Sequence, residues 1–226
     1  MAKNHLKSIA APKTWKIDRK ASVFVMKQNP GRLMKLSLPL GLALKEFLKI
    51  AKTNAEAKKI LQLKTINVNG KKRTDLQYPI GLLEVVEIKE TNEKYRLSFS
   101  DTGFLQFVPI KDNESGIVPL KILGKKKTKG KTQLNLFNGM NVLVDNDSYK
   151  TNDSVIVDLK DKKIKTHIPM KENSRIIMIA GKNTGKKGTI ESVSGNKVKV
   201  KTKDGSFETI TKNIFVIGDD KAEITV

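Results

Sequence analysis

Apolar residues recur along this chain with a period that changes from block to block. Leu40, Leu44, Phe47, Leu48 and Ala51 fall at the spacing of one helix face, which predicts a helix from about Leu40 to Ala51. Thr53-Asn54-Ala55-Glu56 follows as a capping box. The Thr53 hydroxyl accepts the Glu56 N–H while the Glu56 carboxylate accepts from the Thr53 backbone. A second helix is therefore predicted from Asn54 to about Leu61, with Ala57, Ile60 and Leu61 facing the first and Lys58 and Lys59 outward. Ile66 and Val68 then alternate with polar neighbours, as a strand does. Asn69-Gly70 is a turn signal, because both residues tolerate positive φ. Tyr78-Pro79-Ile80-Gly81 predicts a second turn and Glu84 to Ile88 a closing strand.

From Thr91 to Lys171 the pattern is all-β. Short apolar runs (Gly103 to Ile110, Ile117 to Leu123, Leu134 to Phe137, Val142 to Val144) lie between turn-forming clusters. Val155 to Leu159 and Ile164 to Ile168 flank Lys160-Asp161-Lys162-Lys163, a predicted hairpin turn. Lys125, Lys126, Lys127, Lys129 and Lys131 crowd between Gly124 and Lys131 with no acid, which predicts an exposed basic loop. Its competing reading is a solvated loop without a ligand. From Asn173 onward, Ile176, Ile177 and Ile179 predict a buried strand. Lys197-Val198-Lys199-Val200-Lys201 alternates strictly, valines on one face and lysines on the other. About five strands are predicted here, as a small twisted barrel. The chain is thus expected to be α+β and multi-domain: a basic arm over 1–37, a helical and strand domain over 38–90, a central β-rich domain over 91–172 and a C-terminal barrel over 173–226.

The arm has no sustained period. It carries nine lysines and arginines against one acid, Asp18, with the only tryptophan, Trp15, in its middle. Such a segment buries too little apolar surface to offset its own ordering, so it is expected to stay unordered until it meets a polyanion. The whole chain repeats the imbalance, with 44 Lys and Arg, 23 Asp and Glu and a net charge of +21. Phosphate binding with counterion release accounts for such an excess. A lysine-rich surface kept for solubility is the competing reading, but the excess is large and partly clustered. There is no cysteine, which removes disulfides, thiol nucleophiles and thiolate metal sites. His5 and His167 lie far apart in sequence, so no metal or cofactor is expected. No apolar run is long enough for a membrane span, and the amino terminus lacks the apolar core of a leader. No membrane contact and no small-molecule substrate are expected.

The helix–helix–strand–turn unit resembles the αL RNA-binding motif of small-subunit ribosomal proteins, RNA-modifying enzymes and some tRNA synthetases. The resemblance implies a surface for RNA backbone, with Thr53 at the helix start, Lys58 and Lys59 on the second helix and Asn69, Gly70 and Lys71 at the strand end. Lys72 and Arg73 extend that run of cations. The stretch from about Arg175 to Val200 resembles a KOW motif, an SH3-like module shared by ribosomal proteins and transcription elongation factors. Gly188 matches its glycine, where a Cβ would clash at a tight strand crossing. The loop before it, with Lys182, Asn183, Thr184, Lys186 and Lys187, offers phosphate its lysines and backbone N–H groups. It is not a nucleotide-binding P-loop, since the Gly-Lys-Ser/Thr ending and the following long helix are missing. Enzymes that isomerise uridine in RNA often join an αL motif to Gly-Arg-Leu-Asp with the Asp as nucleophile. Here Gly31-Arg32-Leu33-Met34 ends in a methionine. With no Ser/His/Asp set and no carboxylate pair, no catalytic residue is assigned.

Arm, αL motif, β domain and KOW barrel in this order resemble the archaeal and eukaryotic small-subunit ribosomal protein "four-e" family over essentially the whole chain. His5-Leu6-Lys7, Ala10-Ala11-Pro12-Lys13 and Trp15 resemble that family's opening. Leu38-Pro39-Leu40, Asn69-Gly70-Lys71, Arg73-Thr74-Asp75 and Tyr78-Pro79 match its αL domain, and Asn213 to Gly218 its closing stretch. The chain stops soon after, whereas eukaryotic members carry a longer tail, so it resembles an archaeal member. The resemblance implies a structural protein that binds small-subunit ribosomal RNA in the 5′ region, beside neighbouring ribosomal proteins, and supports assembly. Lys3, Lys7, Lys13, Lys16, Arg19, Lys20, Lys27, Arg32 and Lys35 are then expected on phosphates. His5 is expected at RNA with them, and Trp15 either stacks on a base or packs into the αL domain. The remaining alternative is a KOW-type transcription or translation factor that binds RNA or ribosome transiently.

Overall fold

The computed structural model describes residues 4–128, 130–145, 147–203, 205–219 and 225. Two compact units emerge: Met1–Ser98 with Phe104–Ser115, and Phe99–Gly103 with Gly116–Val226. Strands dominate the multi-sheet fold, and the helices are few and short.

In the first unit, β1 (Leu6–Lys7) pairs antiparallel with β2 (Phe24–Val25) inside the arm. β3 (Ser37–Pro39) leads into α1 (Leu40–Leu42), which widens at once into a π turn over Ala43–Phe47. The predicted first helix is therefore shorter than its apolar stripe. The Leu44 carbonyl accepts both the Ile50 and Ala51 N–H groups, and Lys49 turns left-handed at φ 55°. α2 (Asn54–Leu63) starts at the predicted capping box and buries Ala57 and Leu61. β4 (Ile66–Val68) and β5 (Lys71–Lys72) pair across the predicted Asn69-Gly70 turn.

β6 (Pro79–Gly81) corrects the second predicted turn. The turn lies three residues earlier, where Tyr78 N–H donates to the Asp75 carbonyl at 3.2 Å, and Pro79–Gly81 is a strand paired with β3. β7 (Val85–Ile88), β8 (Glu93–Phe99) and β9 (Leu105–Pro109) complete a sheet of order β5-β4-β7-β8-β9. A short α3 (Asp112–Ser115) is held on it by Arg96, a fully buried guanidinium 3.0 Å from the Glu114 carboxylate.

The second unit holds two five-stranded antiparallel sheets. β10 (Ile117–Thr128), β11 (Lys131–Leu136), β12 (Asn141–Val144), β13 (Ser154–Asp158) and β14 (Ile164–Ile168) run in the order β12-β11-β10-β13-β14. The first half of β10 pairs with β13 and the second with β11, with a bulge between Ile122 and Gly124. The expected basic loop over 124–131 is thus a hairpin: Lys125 faces Leu134, Lys126 faces Gln133 and Lys127 faces Thr132. β15 (Arg175–Met178), β16 (Lys187–Ser194), β17 (Lys197–Thr202), β18 (Gly205–Ile210) and β19 (Ile214–Gly218) form the second sheet, in the order β18-β17-β16-β15-β19. Its β17 buries Val198 and Val200 and exposes Lys197, Lys199 and Lys201, as the alternation predicts.

The two sheets share one core, where Phe137 meets Phe215 edge-on at 6.4 Å. Lys121 of β10 is buried there and donates through Nζ to the Thr211 and Ile214 carbonyls at 2.6 and 2.7 Å.

Candidate nucleic-acid interface

Side chains aimed at backbone carbonyls hold the arm. Trp15 is 1% exposed, and its Nε1 donates to the Ser37 and Met34 carbonyls at 2.8 and 3.2 Å. Arg19 donates through Nη1 to the Ser8 and Ala11 carbonyls, both at 2.9 Å, and through Nη2 to Pro12 at 2.8 Å. Arg32 lies 2.5 Å from the fully buried Glu84 carboxylate, whose other oxygen accepts the Gly81 N–H at 2.7 Å. These contacts correct the expectation of an unordered arm. A guanidinium presents five donors in a fixed fork and satisfies several carbonyls at once, which offsets the entropy of ordering where lysines would not. Trp15 is corrected as an RNA contact too, since its ring is enclosed by protein. Arg19 and Arg32 likewise point their charge into the fold. His5, Lys7, Lys13, Lys16, Lys20 and Lys35 remain exposed and Lys27 is half-buried, while Lys3 lies outside the described residues.

The remaining first-unit candidates follow from local geometry. Thr53 Oγ1 accepts the Glu56 N–H at 3.2 Å, and Glu56 accepts from Thr53 and Lys52 in return, so Thr53 positions α2. Lys58 and Lys59 are exposed along that helix. Asn69 and Gly70 adopt φ of 51° and 72°, and Asn69 Oδ1 accepts the Val85 N–H, which sets the turn that exposes Gly70, Lys71 and Lys72. Arg73 is half-buried with its guanidinium 4.3 Å over the Tyr78 ring. Four of the five arginines are therefore engaged inside the fold, and Arg175 is exposed.

In the second unit, Lys125 bonds Asp147 and the Tyr149 carbonyl, which holds the Asp147 carboxyl below its ordinary range. Lys131 lies 2.9 Å from Asp145 at the other end of the hairpin. Lys126 and Lys127 are exposed between them, and Lys129 lies outside the described residues. The loop before β16 is tightly built. Gly185 has φ 90°, and a Cβ there would overlap the Ser100 carbonyl. The N–H groups of Thr184, Gly185 and Lys186 donate to the carbonyls of Gly181, Met178 and Asn183. The expected backbone cradle for phosphate is corrected accordingly, because those three donors are already used. Lys182 and Lys187 are exposed, whereas Asn183, Thr184 and Lys186 are half-buried.

Sequence reasoning did not assign the exposed face of Lys197, Lys199 and Lys201 on β17, although the strict alternation marked it. The surface as a whole offers ammonium groups. Such point charges suit phosphate oxygens and do not form the paired bonds a guanidinium makes.

The model described as Ribosomal family S4e matches residues 91–164, and that of the RS4NT domain matches residues 2–31. A curated relative, small ribosomal subunit protein eS4 of Methanocella arvoryzae, is 37% identical over 99% of this chain and 98% of its own length. The protein of the same name from Archaeoglobus fulgidus is 35% identical over 96% and 94%. Among solved structures, the 30S ribosomal protein S4e from Thermoplasma acidophilum superposes with a TM-score of 0.70 at 28% identity, covering 81% of this chain and 96% of that one.

Proposed function

This chain belongs to ribosomal family S4e, and on that premise we propose how its surface serves the small ribosomal subunit. It is a structural constituent of that subunit and not an enzyme, at work in the cytoplasm beside ribosomal RNA and neighbouring ribosomal proteins. The RNA contacts are its lysines: the arm set, Lys58 and Lys59 on α2, Lys71 and Lys72 after the turn, the β10–β11 hairpin, and Lys182 and Lys187. The observation that carries this assignment is the division of labour among cations. Four of five arginines turn into the fold, and the exposed positive charge is almost all lysine. Binding of this kind reads backbone and shape more than base sequence.

Residues 38–90 act as an αL-type module and residues 173–226 as an SH3-like KOW barrel. In support of the latter, a Cβ at Gly188 would overlap the Lys201 carbonyl, as a tight strand crossing requires. The RNA region is the 5′ part of the small-subunit RNA. A transiently bound KOW-type factor is disfavoured, because the ribosomal relatives match over nearly their whole lengths. Quantitative mass spectrometry of sucrose-gradient fractions separates the two readings. One copy per small subunit after a moderate salt wash is expected. A substoichiometric signal lost in the wash would overturn the assignment.

A further inference from the structure

A cleft of about 520 Å³ opens in the first unit between the arm and the turn before β6. It falls within the ~300–1,000 Å³ range of small-ligand clefts. The Gly31–Met34 run, which has no nucleophile, supplies two of its walls. Arg32 brings a guanidinium already oriented by Glu84, and Met34 with Pro30 brings apolar surface. Lys27 adds a second cation, and Asn4 and Gln77 add carboxamides. No carboxylate lines it.

The floor is rigid. Gln28 is 6% exposed, donates to the Arg32 carbonyl at 3.0 Å and accepts from Ser37 Oγ at 2.7 Å. Asn29 donates to Asp75 at 2.6 Å, and its backbone N–H donates to the Gln77 carbonyl at 2.8 Å.

We propose that this cleft holds one unpaired nucleotide of the bound RNA, phosphate on Lys27, base face on Met34 and base edge on the Gln77 carboxamide. The inference rests on the RNA-binding reading above and adds a nucleotide-selective site to it. Each part meets a matching chemistry. Cations take phosphate, a carboxamide presents the donor and acceptor that a base edge requires, and unpaired RNA bases are bound by stacking with edge contacts.

The test uses the full chain and two RNA probes at equal low salt: a single-stranded hexanucleotide pool and a blunt sixteen-base-pair duplex. Gln77→Ala, Gln77→Glu and Lys27→Gln are compared with wild type, with circular dichroism confirming the fold. Hexanucleotide affinity is expected to fall at least about fivefold in each variant and duplex affinity less than about twofold. In the wild type, the Met34 methyl resonance should shift with hexanucleotide and stay in place with inorganic phosphate. Variants that weaken neither probe, or both alike, or an unmoved Met34 methyl, would overturn the site while leaving RNA binding intact. If wild type bound neither probe, the RNA reading itself would fall and take the site with it.

Discussion

The arm of the first unit and the β10–β11 hairpin of the second carry similar chemistry and are built in opposite ways. Both are lysine-rich stretches without a strong apolar pattern. The arm depends on a few long-range contacts, with Trp15, Arg19 and Arg32 reaching backbone carbonyls or Glu84. The hairpin depends on an unbroken backbone ladder from Gly124 to Thr128, and its lysines are left on the surface. The difference teaches that local charge density does not decide order. What decides it is whether the backbone groups find partners, through side chains and the short β1–β2 pairing in one case and a long neighbouring strand in the other.

The largest effects should come from breaking the arm at its anchors. Arg32→Ala leaves Glu84 buried without its cation and is expected to cost about 3–5 kcal/mol, read by denaturant unfolding. Trp15→Ala should cost a similar ~3–5 kcal/mol, and amide exchange should then accelerate across residues 5–37 and stay unchanged in the hairpin. Uniform acceleration would show that the arm has no fold of its own to lose.

A smaller effect sharpens the comparison at the root of the hairpin. Burial pushes the Lys121 ammonium from 10.5 down to about 8. Between those values the unfolded chain keeps a proton that the folded chain has released, so this group makes stability rise with pH across that window. The slope contribution is at most about 1.4 kcal/mol per pH unit, and Lys121→Met should abolish it. Equal slopes in the two proteins from pH 8 to 10.5 would contradict it. The smallest stability effect belongs to the hairpin surface. Lys126→Gln with Lys127→Gln should change unfolding by less than about 0.5 kcal/mol, as exposed substitutions do.

Features set by neighbours in sequence were legible from the chain alone. The Thr53–Glu56 capping box, the Asn69-Gly70 turn and the alternation through β17 all read correctly, because each is decided within a few residues. Gly188 was marked only through its resemblance to the KOW glycine, and a Cβ there would meet the Lys201 carbonyl. Features decided at a distance were not. Pro79–Gly81 resembles a turn until Ser37–Pro39 supplies its partner strand. Lys125 to Thr128 has poor strand composition and is held extended by Lys131–Leu134 opposite. Nothing in the sequence distinguishes Arg19 and Arg32 from the lysines around them. Their role follows from carbonyls and a carboxylate that only the fold brings near.

The central claim is that lysines meet the RNA while arginines hold the fold. The salt dependence of affinity for small-subunit ribosomal RNA tests it most directly, in wild type, in Lys126→Gln/Lys127→Gln and in Arg19→Lys. Losing the lysine pair is expected to flatten the log–log slope by about 0.7–0.9 per lost phosphate contact with stability unchanged. Arg19→Lys should keep the slope and lose stability. A slope unaffected by the lysine pair, or flattened by Arg19→Lys at full stability, would contradict it.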